Sequence, residues 1–215
     1  MSVTFTTEER AEFDAVVARE LPSLTVVAKE DRFTVEIVDQ DILPEQRILR
    51  VVFATRPIRQ VHYMAASETW CVLTGHVDAF TRIATSAPRD VTPEIARRYA
   101  KLADTWTTTW EFGQLEIASV EDFPWRAWLE ERDRKMIAAV RERFASVIRP
   151  EQIVVTEDEV VIETWVVTHA KLVERTLGVS RSGAFRRVDK IAMEALPIPL
   201  GRYWKVVDGR SIPSG

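Results

Sequence analysis

The side chains of this chain that could do chemistry are few. Its histidines are His62, His76 and His169, and its one cysteine is Cys71. Cys71-x4-His76, with His62 upstream, offers three ligands of kinds that zinc accepts. The spacing fits no standard zinc motif and no fourth ligand is evident, so no metal is expected. Cys71 reads better as a small buried residue between Trp70 and Val72. The same residues could form a Cys–His nucleophile with His62 or His76 as base. The apolar segment around Cys71 works against this, because burial raises a thiol pKa. If Gln60–Ala66 and Thr69–Leu73 are strands, His62 and Cys71 could face each other across them.

Acids occur in close sets: Asp39 with Asp41, Glu121 with Asp122, and Glu157 to Glu159. General acid–base work needs two carboxylates in one cleft with pKa values pushed apart. These sets fall in expected turns or at a helix start, where turn chemistry and the helix dipole already explain them. No Gly-x-Ser-x-Gly, Gly-x-Gly-x-x-Gly or Walker A sequence occurs. Arg97-Arg98, Arg141 with Arg143, and Arg186-Arg187 alternate with acids or apolar residues and read as solvated faces. No catalytic residue and no cofactor is therefore expected.

Tryptophan is the more informative type, at 7 residues. Trp106 and Trp110 are four apart and share a helix face. Trp125 and Trp128 are three apart near the start of the next helix. Four large rings near one helix junction could make an apolar groove, and aromatic rings with arginine are what contact hot spots are made of. The competing reading is that they are core. Trp165 reads as sheet-face packing, and Trp204 as a staple for the C-terminal tail.

The totals exclude whole classes. The charge is 29 − 33 = −4 with His neutral, which argues against a dedicated nucleic-acid binder. No apolar run approaches the roughly 20 residues of a bilayer span. Met1–Arg10 is polar, with no secretory signal visible, and a lone cysteine fits a reducing compartment, so a cytoplasmic location is expected. Gly, at 7 of 215, is scarce, which works against phosphate-cradling loops.

Periodicity supplies the elements that must position these residues. Thr6-x-x-Glu9 is a capping box before a helix over 7–20, stopped at Pro22. Strands are expected at Leu24–Ala28, Arg32–Val38, Arg47–Thr55 and Gln60–Ala66, with Thr69–Leu73 beside the last. Val77–Thr85 reads as a short helix. Thr92-Pro93 opens another, with Ile95, Tyr99, Leu102, Ala103, Trp106 and Trp110 along one stripe. Leu115–Val120 reads as extended. A long helix is expected over 126–147, starting from Asp122–Trp125, with Leu129, Met136, Val140, Phe144 and Val147 apolar. The rest reads as a meander: Gln152–Thr156, Glu159–Thr168, Lys171–Val179 and Ala184–Met193, with a turn at Ser180–Gly183 and a fraying tail around a turn at Asp208-Gly209.

The expected fold class is α+β: antiparallel sheets covered on one face by three main helices, near 7–20, 92–110 and 126–147. The chain reads as one domain over 1–215, with sub-units 1–76 and 122–200 joined by a helical middle. Thr25–Asp31 can be laid against Ile153–Asp158, which suggests pseudo-duplicated halves, each a helix followed by a meander. The expected function is a non-catalytic cytoplasmic protein-binding module of adaptor, chaperone-like or immunity type. Its aromatic surface would be Trp106, Trp110, Trp125 and Trp128, and its partner another protein, with no nucleic acid, no membrane and no expected oligomeric state. The alternative is an enzyme or small-ligand carrier with a pocket between sheet and helices, using His62, His76 and nearby acids.

Overall fold

The computed structural model describes the chain except residues 1–3, 44, 57–58, 67–69, 86–90, 110–113, 127–128, 199–203, 208–209 and 214–215. The architecture is α+β, with antiparallel sheets and five α-helices among the described residues. The chain divides into two compact units. One is Met1–Trp110 with Ser180–Phe185, and the other is Glu111–Val179 with Arg186–Gly215. The expected helical middle therefore belongs to the first unit. No helix among the described residues is long and apolar enough to cross a membrane.

The first unit is built on a four-stranded sheet in the order β1-β2-β3-β4, all neighbours antiparallel. The strands are β1 (Phe33–Ile37), β2 (Arg47–Phe53), β3 (Gln60–Ala66) and β4 (Cys71–Val72). Alternation gives the sheet two apolar faces. One carries Val35, Leu49, Val51, Phe53 and Met64 and packs on Phe13, Val16 and Val17 of α1 (Thr7–Glu20). Phe13 stacks on Phe53 at 6.3 Å and meets Trp70 edge-on at 6.3 Å. The other face presents Tyr63, whose ring lies 6.4 Å from Trp106 on α4 (Pro93–Thr107). Helices thus cover both faces of this sheet.

Capping residues set the helix starts as their types require. Thr6 and Glu9 exchange side-chain bonds with each other's backbone N–H groups. Thr92 accepts from Ile95 N at 3.3 Å, ahead of Pro93.

The expected strand at Leu24–Ala28 is instead a 3-10 turn, Pro22–Leu24, running into a short helix α2, Thr25–Lys29. Leu24 and Ala28, four apart, are its buried residues, so a helical period governs despite the Val26-Val27 pair. The pseudo-duplication loses its anchor with it, because Thr25–Asp31 holds a helix where Ile153–Val155 is strand.

The second unit holds a sheet in the order β5-β7-β8-β9, with β6 also on β7. These are β5 (Gln114–Ile117), β6 (Gln152–Val155), β7 (Glu159–Thr168), β8 (Lys171–Ser180) and β9 (Phe185–Met193). β5 pairs with residues 165–168 of β7 and β6 with 160–163, so the two short strands lie end to end along β7. Val140 and Phe144 of α5 (Glu131–Phe144) pack on one face, against Trp165, Val167 and Leu172. Residues 204–207 and 210–213 form a final hairpin, β10 and β11, where a fraying tail is expected; its turn at Asp208-Gly209 lies outside the described residues.

The helix expected over 126–147 starts later. Glu130 is its N-cap, and its backbone N–H donates to Asp133 Oδ2 at 3.1 Å. Asp122 is otherwise engaged, since its Oδ2 accepts from Ala118 and Ser119 N–H, both at 2.8 Å, and closes a separate 3-10 turn, Val120–Asp122.

Candidate functional site

In the first unit, the end of α1, strand β4 and the start of α3 (Val77–Thr85) surround a crevice of about 490 Å³. Its polar lining is Glu20, Cys71, His76, Asp78 and Arg82. Each is placed by backbone features around it. Glu20 is the last residue of α1, and its Oε2 accepts from Val72 N at 2.9 Å, which joins the helix end to β4. After β4 the chain turns at Thr74-Gly75. Gly75 has φ +87°, a left-handed conformation that suits glycine; a Cβ there would touch only Thr109 Cγ2, at 3.7 Å. Its N–H donates to Thr107 O at 2.9 Å. Thr74 Oγ1 donates to Trp106 O at 3.1 Å and accepts from Tyr63 N at 2.8 Å. The turn is thereby fastened to β3 and α4. His76 N donates back to Leu73 O at 2.9 Å, and Phe80 N donates to His76 O at 3.2 Å as α3 begins. Asp78 lies in the first turn of α3, with Arg82 four residues on along the same face.

His76, Asp78 and Arg82 are exposed at the crevice, whereas Cys71 is buried at its wall. Burial pushes the Cys71 thiol above its ordinary value, and the Glu20 carboxylate adds to this. The thiol is protonated at neutral pH and is a weak nucleophile. Arg82 offers a planar fork of donors suited to a carboxylate or phosphate. Asp78 offers acceptors for an ammonium or hydroxyl, and Glu20, whose Oε1 accepts from Arg19 at 2.5 Å and Oε2 from Val72 N, adds its remaining lone pairs.

His62 is not at this site. β3 pairs Ala65 with Cys71 and Met64 with Val72. His62 shares a face with Met64, and Cys71 shares the other face with Ala65, so imidazole and thiol do not meet as the sequence allowed. His62 is 5 % exposed, edge-on to Phe53 at 5.8 Å, with neither ring nitrogen hydrogen-bonded among the described residues. Burial lowers its pKa to about 4. His169 sits in the turn between β7 and β8. No group of three or more His, Cys, Asp or Glu among the described residues could hold a metal ion.

The acid sets and basic pairs are largely committed to structure. Arg98 bonds Asp41 at 2.6 Å, Arg141 bonds Glu121 at 3.1 Å, and Arg186 bonds Glu159 at 2.5 Å. Those partners hold the Asp41 and Glu159 carboxyls below their usual range.

The tryptophans fall differently from one another. Trp106 is 2 % exposed and lies 5.9 Å from Phe80, so it offers no surface for contact and serves as core. Large rings on a helix covered by a sheet are buried by the sheet itself. Trp125 is half-buried and stacked on Phe123 at 4.6 Å. Trp110 and Trp128 lie outside the described residues, as does the side chain of Trp204.

A different apolar surface is open in the second unit. Ile153, Val154 and Val155 of β6 are 41 %, 47 % and 59 % exposed. Nothing in their sequence marks them as surface, because a run of β-branched residues reads equally well as core strand. No family model, curated protein or solved structure matches the chain.

Proposed function

We propose that the chain binds a small polar ligand in the first unit's crevice and holds it without covalent change. The observation that carries this is the convergence of a guanidinium, an imidazole and two carboxylates, Arg82, His76, Glu20 and Asp78, on a concavity of about 490 Å³. That volume suits a compact metabolite. Both donors and acceptors line it, so the ligand class is a small molecule with an anionic group for Arg82 and an amine or hydroxyl for the acids. The protonated Cys71 thiol supports holding over nucleophilic chemistry. The net charge of −4 supports a ligand other than nucleic acid. A single cysteine kept as a buried thiol supports a reducing, cytoplasmic setting.

Amide chemical-shift mapping against a fragment set of amino acids, hydroxy acids and sugar phosphates tests the reading. Shifts centred on Gly75, His76, Asp78 and Arg82, lost in Arg82→Ala, are the expected result. A set that leaves those amides unmoved at millimolar concentration would overturn it.

A second reading, a non-catalytic protein-binding module, is favoured by the open β6 edge with Ile153, Val154 and Val155. In that reading the contact is made by the strand edge and not by Trp106, which is sealed.

A further inference from the structure

We infer that the turn Ser180–Phe185 sets the shape of the crevice from the far side of α3, with Thr81 as the positioning residue for Asp78 and Arg82, so that filling the crevice and seating the turn strengthen each other. The inference rests on the reading of the crevice as a ligand site and names what regulates it. Ser180–Phe185 belongs to the first unit, as the crevice does.

The helical period puts two sets of α3 residues on opposite sides. At about 100° per residue, Asp78, Ala79 and Arg82 share one side, and Phe80, Thr81 and Ala84 share the other. The first set lines the crevice. The second set meets the turn. Thr81 Oγ1 donates to Phe185 O at 3.0 Å and accepts from Phe185 N at 3.3 Å. The Phe80 ring meets Phe185 edge-on at 5.8 Å. Gly183 comes so close to Ala84 that a Cβ on it would stand 3.3 Å from Ala84 O. From α4, Tyr99 donates its hydroxyl to Gly183 O.

The turn is braced within itself, so it acts on α3 as a stop. Ser180 N donates to Ala184 O and Gly183 N to Ser180 O, both at 2.9 Å. Ser180 Oγ accepts from Ala184 N at 3.0 Å and bonds Ser182 Oγ at 2.8 Å. Gly183 holds φ +85°, which keeps its backbone against α3. α3 has nine residues and moves as one piece, so a shift at Thr81 carries Asp78 and Arg82 with it. With the turn seated, the guanidinium and the carboxylate stand ready for one ligand; with it unseated, their spacing is lost. Linkage makes the effect reciprocal, because a ligand that prefers the seated state also favours seating.

Magnetic resonance of the full chain tests this from the turn side. Gly183→Ala sets a Cβ against Ala84 O at a left-handed φ and unseats the turn from across the helix. Thr81→Val removes both bonds to Phe185, keeps the branched shape and covers the case in which Gly183→Ala unfolds the unit. Thr81→Ser keeps the hydroxyl and is the rescue. Without ligand, both unseating variants should shift the amides of Gly75, His76 and Asp78 and speed iodoacetamide labelling of Cys71. With L-serine and glycerol 3-phosphate as probes, Kd should rise about threefold in Gly183→Ala and Thr81→Val and stay at the parent value in Thr81→Ser, as when the competent state is populated a third of the time. In the parent, saturating probe should slow exchange of the Phe185 amide at least about threefold. Crevice amides and a Cys71 rate that ignore both unseating variants overturn the proposal, as does a Thr81→Ser variant that behaves like Thr81→Val. Probes that bind the parent and the unseating variants alike overturn the coupling and leave the crevice reading intact. If neither probe binds while amides and thiol still respond to the turn, the ligand reading falls and the positional coupling stands.

Discussion

His62 is a basic group held where its charge cannot be solvated. Its imidazole is buried against Phe53, and neither nitrogen has a partner among the described residues. The unfolded chain takes up a proton at the ordinary value of 6.5, the folded chain only at about 4. Between those values the unfolded state binds more protons, so stability is fully present above 6.5 and falls as the pH drops toward 4. A shift of this size corresponds to about 3 kcal/mol. Unfolding free energies from urea titrations at pH 7.5 and pH 4.5 should differ by most of this, and His62→Leu should remove that part of the pH dependence. A variant with the parent's pH dependence would show that the imidazole is not its source. No sequence signal separates such a histidine from a ligand: Gln60–Ala66 alternates in the same way whichever face is buried. The crevice was legible only in part for a related reason. His76 and nearby acids are visible as types, but Glu20 and Cys71 come together only because β4 pairs with β3 and Val72 N bonds Glu20.

Arg175 is the opposite case, a buried charge fully engaged. Its side chain is 4 % exposed, and its Nε and Nη2 each donate to Asp189 at 2.8 Å while Nη1 donates to Gln114 at 2.7 Å. One side chain on β8 thereby joins β5 and β9. Asp189→Ala leaves the guanidinium buried without its carboxylate and should cost about 2–3 kcal/mol in chemical unfolding. A loss below about 0.5 kcal/mol would mean that solvent replaces the carboxylate.

At the scale of elements, caps carried more information than composition. Thr6 with Glu9 and Thr92 with Pro93 mark the starts of α1 and α4 because the Thr6, Glu9 and Thr92 side chains each accept from a backbone N–H of the first turn, while Pro93 has no N–H to leave unpaired. α5 starts later than its sequence suggests because Asp122 and Pro124 carry the same signal, while Asp122 spends its carboxylate on Ala118 and Ser119. Leu24–Ala28 looks like strand in sequence because five residues are too few for periodicity to outvote β-branching. The β7–β8 turn shows an element set against its local preference. His169 and Ala170 stand at φ +48° and +59°, conformations that favour Asn and Gly in a two-residue hairpin. The strands on either side, held by Val167 and Leu172 in the core, impose them. Replacing the pair with Asn-Gly should raise stability by about 1 kcal/mol, net of the Ala170 methyl packed on that core. Thermal unfolding reads this directly, and a drop in melting temperature would show that the methyl contact outweighs the backbone strain.

For the whole molecule, charge and exposed apolar surface act together. The chain carries −4 at pH 7, and its isoelectric point is near 5.6. Self-repulsion is therefore modest at neutral pH and vanishes in mild acid. The same pH window is where the His62 imidazole begins to favour unfolding. Charged residues interrupt the β9 edge, with Arg186, Arg187, Asp189 and Lys190 among Val188 and Ile191, and charges on an edge oppose further strand addition. β6 has no such interruption between Gln152 and Val155. Light scattering of the parent should thus rise near pH 5.6 well before it does at pH 8. Val154→Lys should suppress most of the rise, because its side chain is 47 % exposed and the lysine can reach water without disturbing the β7 ladder. His62→Leu alone should suppress less, since it steadies the first unit and leaves the β6 edge open. If His62→Leu suppresses scattering as fully as Val154→Lys, association proceeds through unfolding and not through the native edge.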